Sequence, residues 1–133
     1  MAEIYYPTPE QIIEYNVLVL EFIKVKKADK PAVLSKSKIT EVIRNCEDRD
    51  GDIYDKATSL IKGLIQKHPF ASGNRRTAFI TTKDFILMNN NRFGIRNDPQ
   101  SAKVMQGIRE NYYSDNEIKE WMKHGKIREF TRK

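Results

Sequence analysis

Within eleven residues, His68-Pro69-Phe70-Ala71-Ser72-Gly73-Asn74-Arg75-Arg76-Thr77-Ala78, the chain gathers an imidazole, a hydroxyl, an amide and two guanidiniums around one glycine. An imidazole titrates near neutrality and can take the proton of an incoming hydroxyl. Asn74 can donate to an anionic oxygen, and Arg76 can clamp one through two parallel hydrogen bonds. Gly73 and Asn74 tolerate unusual backbone dihedrals, and the run from Asn74 to Met88 holds no Pro or Gly, which predicts a helix over that run. The free N–H groups and positive dipole end of such a helix attract anions, and Arg75 and Arg76 fall in its first turn. Together these residues suit group transfer at a phosphate, which needs a base for the attacking hydroxyl and positive charge for the phosphates.

Each residue also has a plain structural account. His68 precedes a proline that ends a helix, where an imidazole favours the dipole. Taken alone that account is the better one, but four anion-binding features within a few residues outweigh it. Ser72 suits an ordinary helix N-cap, or alternatively a neutral metal ligand of the kind the Ser or Thr of a P-loop provides. Phe70 suits a pin that fixes the loop to the core. His124 sits in the last turn of a helix before Gly125 and needs no function. Cys46, the only cysteine, excludes an intrachain disulfide and falls at core spacing with Ile39, Val42 and Ile43. Asp48, Asp50 and Asp52 alternate loosely as in a calcium loop, but Gly51 comes too early and no acid follows at the closing position.

Helices must position the motif. Thr8-Pro9-Glu10-Gln11 is a capping box opening a first helix to about Lys27, with Ile12, Ile13, Val19, Leu20, Phe22 and Ile23 on a broad apolar face. Ala28-Asp29-Lys30-Pro31 ends it. Ala32-Val33-Leu34 reads as a short extended segment before a second helix from Ser35 or Ser37 through Ile39, Val42, Ile43 and Cys46. Asp52 caps a third helix, whose Ile53, Ala57, Leu60, Ile61, Leu64 and Ile65 keep helical spacing up to His68. The fourth helix, apolar nearly all round through Ala78, Phe79, Ile80, Phe85, Ile86, Leu87 and Met88, is expected at the centre of a bundle and ends at Asn89-Asn90-Asn91. Asp98-Pro99 starts a fifth with Ala102, Val104, Met105 and Ile108 facing in. Ser114-Asp115-Asn116-Glu117 caps a sixth through Ile118, Trp121 and Met122.

The motif resembles the signature of the Fic/Doc (death-on-curing) family, His-Pro-Phe-x-(Asp or Glu)-Gly-Asn-(Gly or Lys)-Arg, without a gap. His68, Pro69, Phe70, Gly73, Asn74 and Arg76 agree, and Arg75-Arg76-Thr77-Ala78 is similar to the Lys-Arg-Thr-Ala of the Doc branch. Ser72 replaces the acidic residue that holds Mg²⁺ in the family, and Phe79 stands where the nucleotidyl-transferring branch has a second arginine. Weaker similarity runs from Asp52-Ile53-Tyr54-Asp55-Lys56-Ala57 to Phe85-Ile86-Leu87-Met88-Asn89.

The resemblance implies an all-α fold, a compact bundle of about six helices with a flap-like extended segment that holds a target peptide by strand addition. It implies transfer of a phosphoryl group (Doc-like) or a nucleotidyl group (AMPylation-type) from ATP or another nucleoside triphosphate to a hydroxyl of a target protein. His68 would be the base, Gly73, Asn74, Arg75 and Arg76 would hold the nucleotide, and Ser72 would be a ligand to Mg²⁺. Small family members often act as toxins checked by a separate antitoxin. The family's inhibitory Ser/Thr-x-x-x-Glu-Gly/Asn motif is not found, so restraint falls to a partner, to oligomerisation or to weak intrinsic activity. Arg75 favours phosphoryl transfer, with nucleotidyl transfer the close second. The competing class is a nucleotide- or nucleic-acid-binding protein on the same scaffold that lost catalysis with the acidic ligand.

Composition bounds these readings. A chain of 133 residues suits one domain, 1–133, with a basic tail over 126–133. Hydrophobic content of 39% against 32% charged is that of a globular protein. The longest apolar stretch, Ile12 to Ile23, is broken by Glu14, Asn16 and Glu21, too polar for a membrane span. With no secretory signal at the N-terminus, a cytoplasmic location is expected. The net charge of +6 raises nucleic acid as a partner, but the basic residues are spread along the chain among acidic ones, which argues against it.

Overall fold

The computed structural model describes residues 3–22, 30–96 and 98–131. Six helices make up the fold of these residues: α1 (Pro9–Phe22), α2 (Lys36–Asp48), α3 (Ile53–Lys67), α4 (Asn74–Met88), α5 (Pro99–Arg109) and α6 (Asp115–His124). The only β pairing among them is one antiparallel bridge between Val33 and Phe70. The protein is an all-α bundle with a short extended segment laid on the motif.

Local chemistry sets the helix starts. Thr8 and Gln11 form the reciprocal bonds of a capping box, Gln11 N to Thr8 Oγ1 at 3.2 Å and Thr8 N to Gln11 Oε1 at 2.9 Å. Ser35 caps α2 by accepting from the Lys38 N–H, and Asp98 caps α5 ahead of Pro99. Asp52 with Asp55, and Ser114 with Glu117, close capping boxes on α3 and α6. The end expected for α1 near Lys27, and Ile23 with it, lie outside the described residues. Phe22 lies well off the inward stripe of Ile12, Asn16, Val19 and Leu20 and is 85% exposed, so the apolar face of α1 is narrower than its composition suggests.

The centre of the bundle is α3 rather than α4. Tyr54, Ala57, Leu60, Ile61, Leu64 and Ile65 are buried along α3, which packs against α2, α4, α5 and α6. Gly63 permits a close approach of α2: a Cβ there would meet the Val42 methyls at 2.9 Å. On α4 the inward positions are Thr77, Ala78, Thr81, Thr82, Phe85 and Ile86, while Ile80, Leu87 and Met88 are exposed. Hydrophobicity alone misplaces this helix because threonines hold part of its buried face and aliphatics part of its open one. In α5, Val104, Met105 and Ile108 face in as expected, but Ala102 is exposed.

Over its described part, the basic segment after α6 is tied back to the bundle. Ile127 and Phe130 pack on the core. Arg128 pairs with Glu117 and lies 4.0 Å over the Tyr112 ring, a cation–π contact that ties the segment back to α6 and the end of α5.

Candidate active site

The motif forms a turn between the end of α3 and the start of α4, held from three directions. At its entrance His68 takes left-handed dihedrals, φ 52° and ψ 58°, which few non-glycine residues adopt. The imidazole is exposed at the rim of the turn, whereas Pro69 and Phe70 are buried behind it. Phe70, 1% exposed, is the pin its type suggested.

Segment 32–35 runs along the outside of this turn. The Pro69 carbonyl accepts from Leu34 N at 2.8 Å and Ser35 N at 3.2 Å, and Ala71 N donates to the Ala32 carbonyl at 3.0 Å. From inside, the buried Asn74 amide spans Phe70, accepting from its N–H at 3.0 Å and donating to its carbonyl at 2.9 Å. From α1, Asn16 Nδ2 donates to the Ser72 carbonyl at 2.9 Å and to Thr77 Oγ1 at 3.1 Å. Asn16, 1% exposed on an otherwise apolar face, is the polar residue whose spacing alone did not disclose a role.

The helix that follows begins at Gly73, not at Ser72. Gly73 is left-handed, with φ 77°, and α4 has no side-chain cap. A Cβ at this position would meet Leu20 Cδ2 at 3.2 Å and Asn16 Nδ2 at 3.3 Å, so both the dihedral and the space favour glycine. Among the described residues no acceptor meets the N–H groups of Asn74, Arg75 and Arg76. Three donors therefore point outward at the positive end of the dipole.

These groups open into a cavity of about 330 Å³, lined by His68, Ala71, Ser72, Gly73, Asn74, Arg75 and Arg76, with Val19, Leu20 and Ile65 beneath and Arg109 from α5 on its wall. Every site residue named from sequence lines the same cavity. The Asn74 side chain is committed to Phe70, so its contribution to an anion is the backbone N–H. Arg75 and Arg76 are exposed and make no hydrogen bond or ion pair with another described residue. Phe79 packs edge-on against Phe93, centroids 5.5 Å apart, away from this lining.

Arg109 was invisible to sequence reasoning: it stands far along the chain from the motif, and only the docking of α5 brings it there. Gln66 Nε2 donates to the Ile108 carbonyl at 3.0 Å, fixing the end of α5 against the end of α3.

The chemistry of the lining also tests the site for Mg²⁺. A hard divalent cation takes carboxylate, carbonyl and water oxygens. Ser72 offers one neutral hydroxyl, no carboxylate lines the cavity, and no group of three or more metal-capable His, Cys, Asp or Glu side chains occurs among the described residues. This donor set does not fit an ion held by the protein.

Away from the lining, the thiol and the Tyr15 hydroxyl belong to the scaffold. Burial pushes the Cys46 thiol up to about 12, that of a core residue and not a nucleophile. Burial likewise raises the Tyr15 hydroxyl to about 12, and its hydrogen bond to Asp84 adds to this. No helix among the described residues is long and apolar enough to cross a membrane.

The sequence pattern of the Fic/DOC family matches residues 2–86, more than half of the chain, from before α1 to near the end of α4. That span contains the whole turn and the α1 side of the cavity, and leaves out α5 with Arg109. No curated protein matches the chain.

Proposed function

Because the chain belongs to the Fic/DOC family, we propose that it is a Doc-like transferase moving the terminal phosphoryl group of ATP or another nucleoside triphosphate to a hydroxyl of a target protein. One observation carries this reading: an exposed imidazole stands at the rim of a cavity whose floor is an uncapped helix start flanked by two unpaired arginines. The phosphates lie along the N–H groups of Asn74, Arg75 and Arg76, with the Arg75 and Arg76 guanidiniums on their oxygens.

His68 takes the proton of the target hydroxyl, whose oxygen attacks the γ-phosphorus. The bond from that phosphorus to the β-bridging oxygen breaks, and the nucleoside diphosphate leaves. The left-handed backbone at His68 supports this role, since dihedrals of that kind persist where the surroundings impose them, often at functional sites. Segment 32–35, already paired with the motif on one side and exposing Val33 and Leu34, supports capture of the target peptide by strand addition on the other. Arg75, filling with a cation the position where nucleotidyl-transferring relatives have glycine, supports phosphoryl transfer over nucleotidyl transfer. A toxin role restrained by an antitoxin accords with this activity and is proposed with it.

A second reading rests on the cavity's lack of a carboxylate: a nucleotide-binding protein without transfer. Incubating the purified chain and a lysate with ATP labelled at the γ- or α-phosphate separates the cases. Protein labelling by γ-phosphate alone is expected. Labelling by α-phosphate would replace phosphoryl with nucleotidyl transfer, and nucleotide binding without any labelling would leave the binder.

A further inference from the structure

We infer that Arg109 is a phosphate-binding residue of the cavity, and that it completes with Arg75 and Arg76 a set of guanidiniums that holds a chain of phosphates without a divalent cation. The inference deepens the proposed function. It rests on that reading for the nucleotide, while the charge argument holds for any polyphosphate.

The three arginines reach one cavity from the first turn of α4 and the last turn of α5. None makes a hydrogen bond or ion pair with another described residue, and the lining holds no carboxylate. Gathering like charges with no counter-charge costs stability, so the arrangement is explained by an anion as its ligand. A purely local role for Arg109 would be to cap the last carbonyls of α5, as cations at helix ends do. Its guanidinium makes no such bond. Instead, the Gln66 contact to the Ile108 carbonyl anchors the end of α5 beside the helix that carries His68.

The amount of charge points to the class of ligand. Three guanidiniums and about +0.5 from the helix terminus exceed what a single phosphate of about −1.5 to −2 can neutralise. Two or three linked phosphates match it better. The same charge does what a metal would otherwise do for the phosphates, which accords with a cavity whose donor set does not fit Mg²⁺. With no Phe, Tyr or Trp in the lining, no large aromatic face is there to stack a base, and recognition falls on the phosphate chain.

The test is calorimetric titration of the full chain with inorganic tripolyphosphate, ATP and AMP in EDTA, for wild type, Arg109→Gln and Arg109→Lys. Wild type is expected to bind tripolyphosphate and ATP without metal. Arg109→Gln should weaken both by about tenfold, the scale of one charge-assisted hydrogen bond. It should change AMP by less than about twofold and leave the melting temperature unchanged, since an exposed, unpaired arginine adds little to the fold. Arg109→Lys should recover part of the loss, because it restores charge but not the bidentate fork.

Equal tripolyphosphate affinity in Arg109→Gln, an equal loss for AMP, or wild-type binding only when Mg²⁺ is added would each overturn the assignment. Binding that depends on Arg109 in a protein that labels no target would sink the transferase reading and leave this one standing. Labelling that survives with Arg109→Gln affinity intact would do the reverse.

Discussion

The two helices that meet at the motif begin in opposite ways. At the start of α3, Asp52 accepts from Asp55 N at 3.0 Å and Asp55 accepts from Asp52 N at 2.9 Å. Lys119 from α6 reaches Asp55 at 3.0 Å. At the start of α4 a glycine takes the cap position, no side chain answers, and arginines follow where the dipole would favour acids. A glycine cap in place of Ser or Asp gives up only about a few tenths of a kcal/mol of stability. The difference teaches how to tell a structural terminus from a functional one: α3 meets the Asp52 and Asp55 N–H groups with its own carboxylates, and no side chain meets any of the first donors of α4.

The largest effects should come from residues around the open start. His68→Ala is expected to lower γ-phosphate transfer by at least about 100-fold, the scale of general-base catalysis, with tripolyphosphate affinity within about twofold. His68→Asn, which tolerates left-handed dihedrals, should match that loss with no loss of stability. Transfer that survives both substitutions sinks the base assignment. Asn74→Ala should instead act through the fold: with the Phe70 N–H and carbonyl stripped of their partner in a buried turn, chemical denaturation should record a loss of about 2–3 kcal/mol. A stable Asn74→Ala protein with weakened anion binding would mean that its amide serves the ligand after all.

Ser72→Asp converts the open start towards the kind seen in α3. With Mg²⁺ present it should raise nucleotide affinity by about tenfold by adding a hard anionic ligand. In EDTA it should lower tripolyphosphate affinity, since the added charge then opposes the phosphates. A rise under both conditions would show that the arginines are not the main phosphate contacts. Asp52→Ala makes the complementary change and should cost about 1 kcal/mol in unfolding free energy while leaving tripolyphosphate affinity unchanged.

What was legible in the sequence follows the same division. Capping boxes at Thr8/Gln11 and Ser114/Glu117, the Asp98-Pro99 start and the span of α4 were readable because each is decided by neighbours within one turn. The motif was readable because its residues are consecutive. The cap at Gly73 rather than Ser72 was not, since it depends on Asn16 of α1 drawing the Ser72 carbonyl inward. The central place of α3 and the open face of α4 were misjudged because helical phase, not apolar content, decides which side faces the core. Arg109 could not be found at all, for only a tertiary contact through Gln66 joins it to the turn.

The smallest effect is expected from acid, and it bears on whether the satisfied starts and the open start are independent. Asp115, the first residue of α6, accepts from Lys62 Nζ at 2.8 Å and from Arg49 Nη1 at 3.0 Å, which joins α6 to α3 and to the end of α2. The Lys62 ammonium holds the Asp115 carboxyl below its ordinary range, burial opposes it, and Arg49 adds to the lowering. A carboxyl with a lowered folded-state pKa contributes stability that is present above its unfolded pKa and is lost as pH falls through the folded one. Because the Asp115 side chain is 40% exposed, water screens the network, and about 0.5 kcal/mol is the expected share. Asp115→Asn should therefore lower stability slightly at neutral pH and make it less dependent on pH below about 4, where an ordinary aspartate titrates. Urea unfolding at a series of pH values measures this, and an acid limb as steep as wild type's would remove Asp115 from the account. Since no carboxylate lines the cavity, tripolyphosphate affinity of Asp115→Asn at neutral pH should equal that of wild type. Weakened binding there would couple the two kinds of helix start that the structure keeps apart.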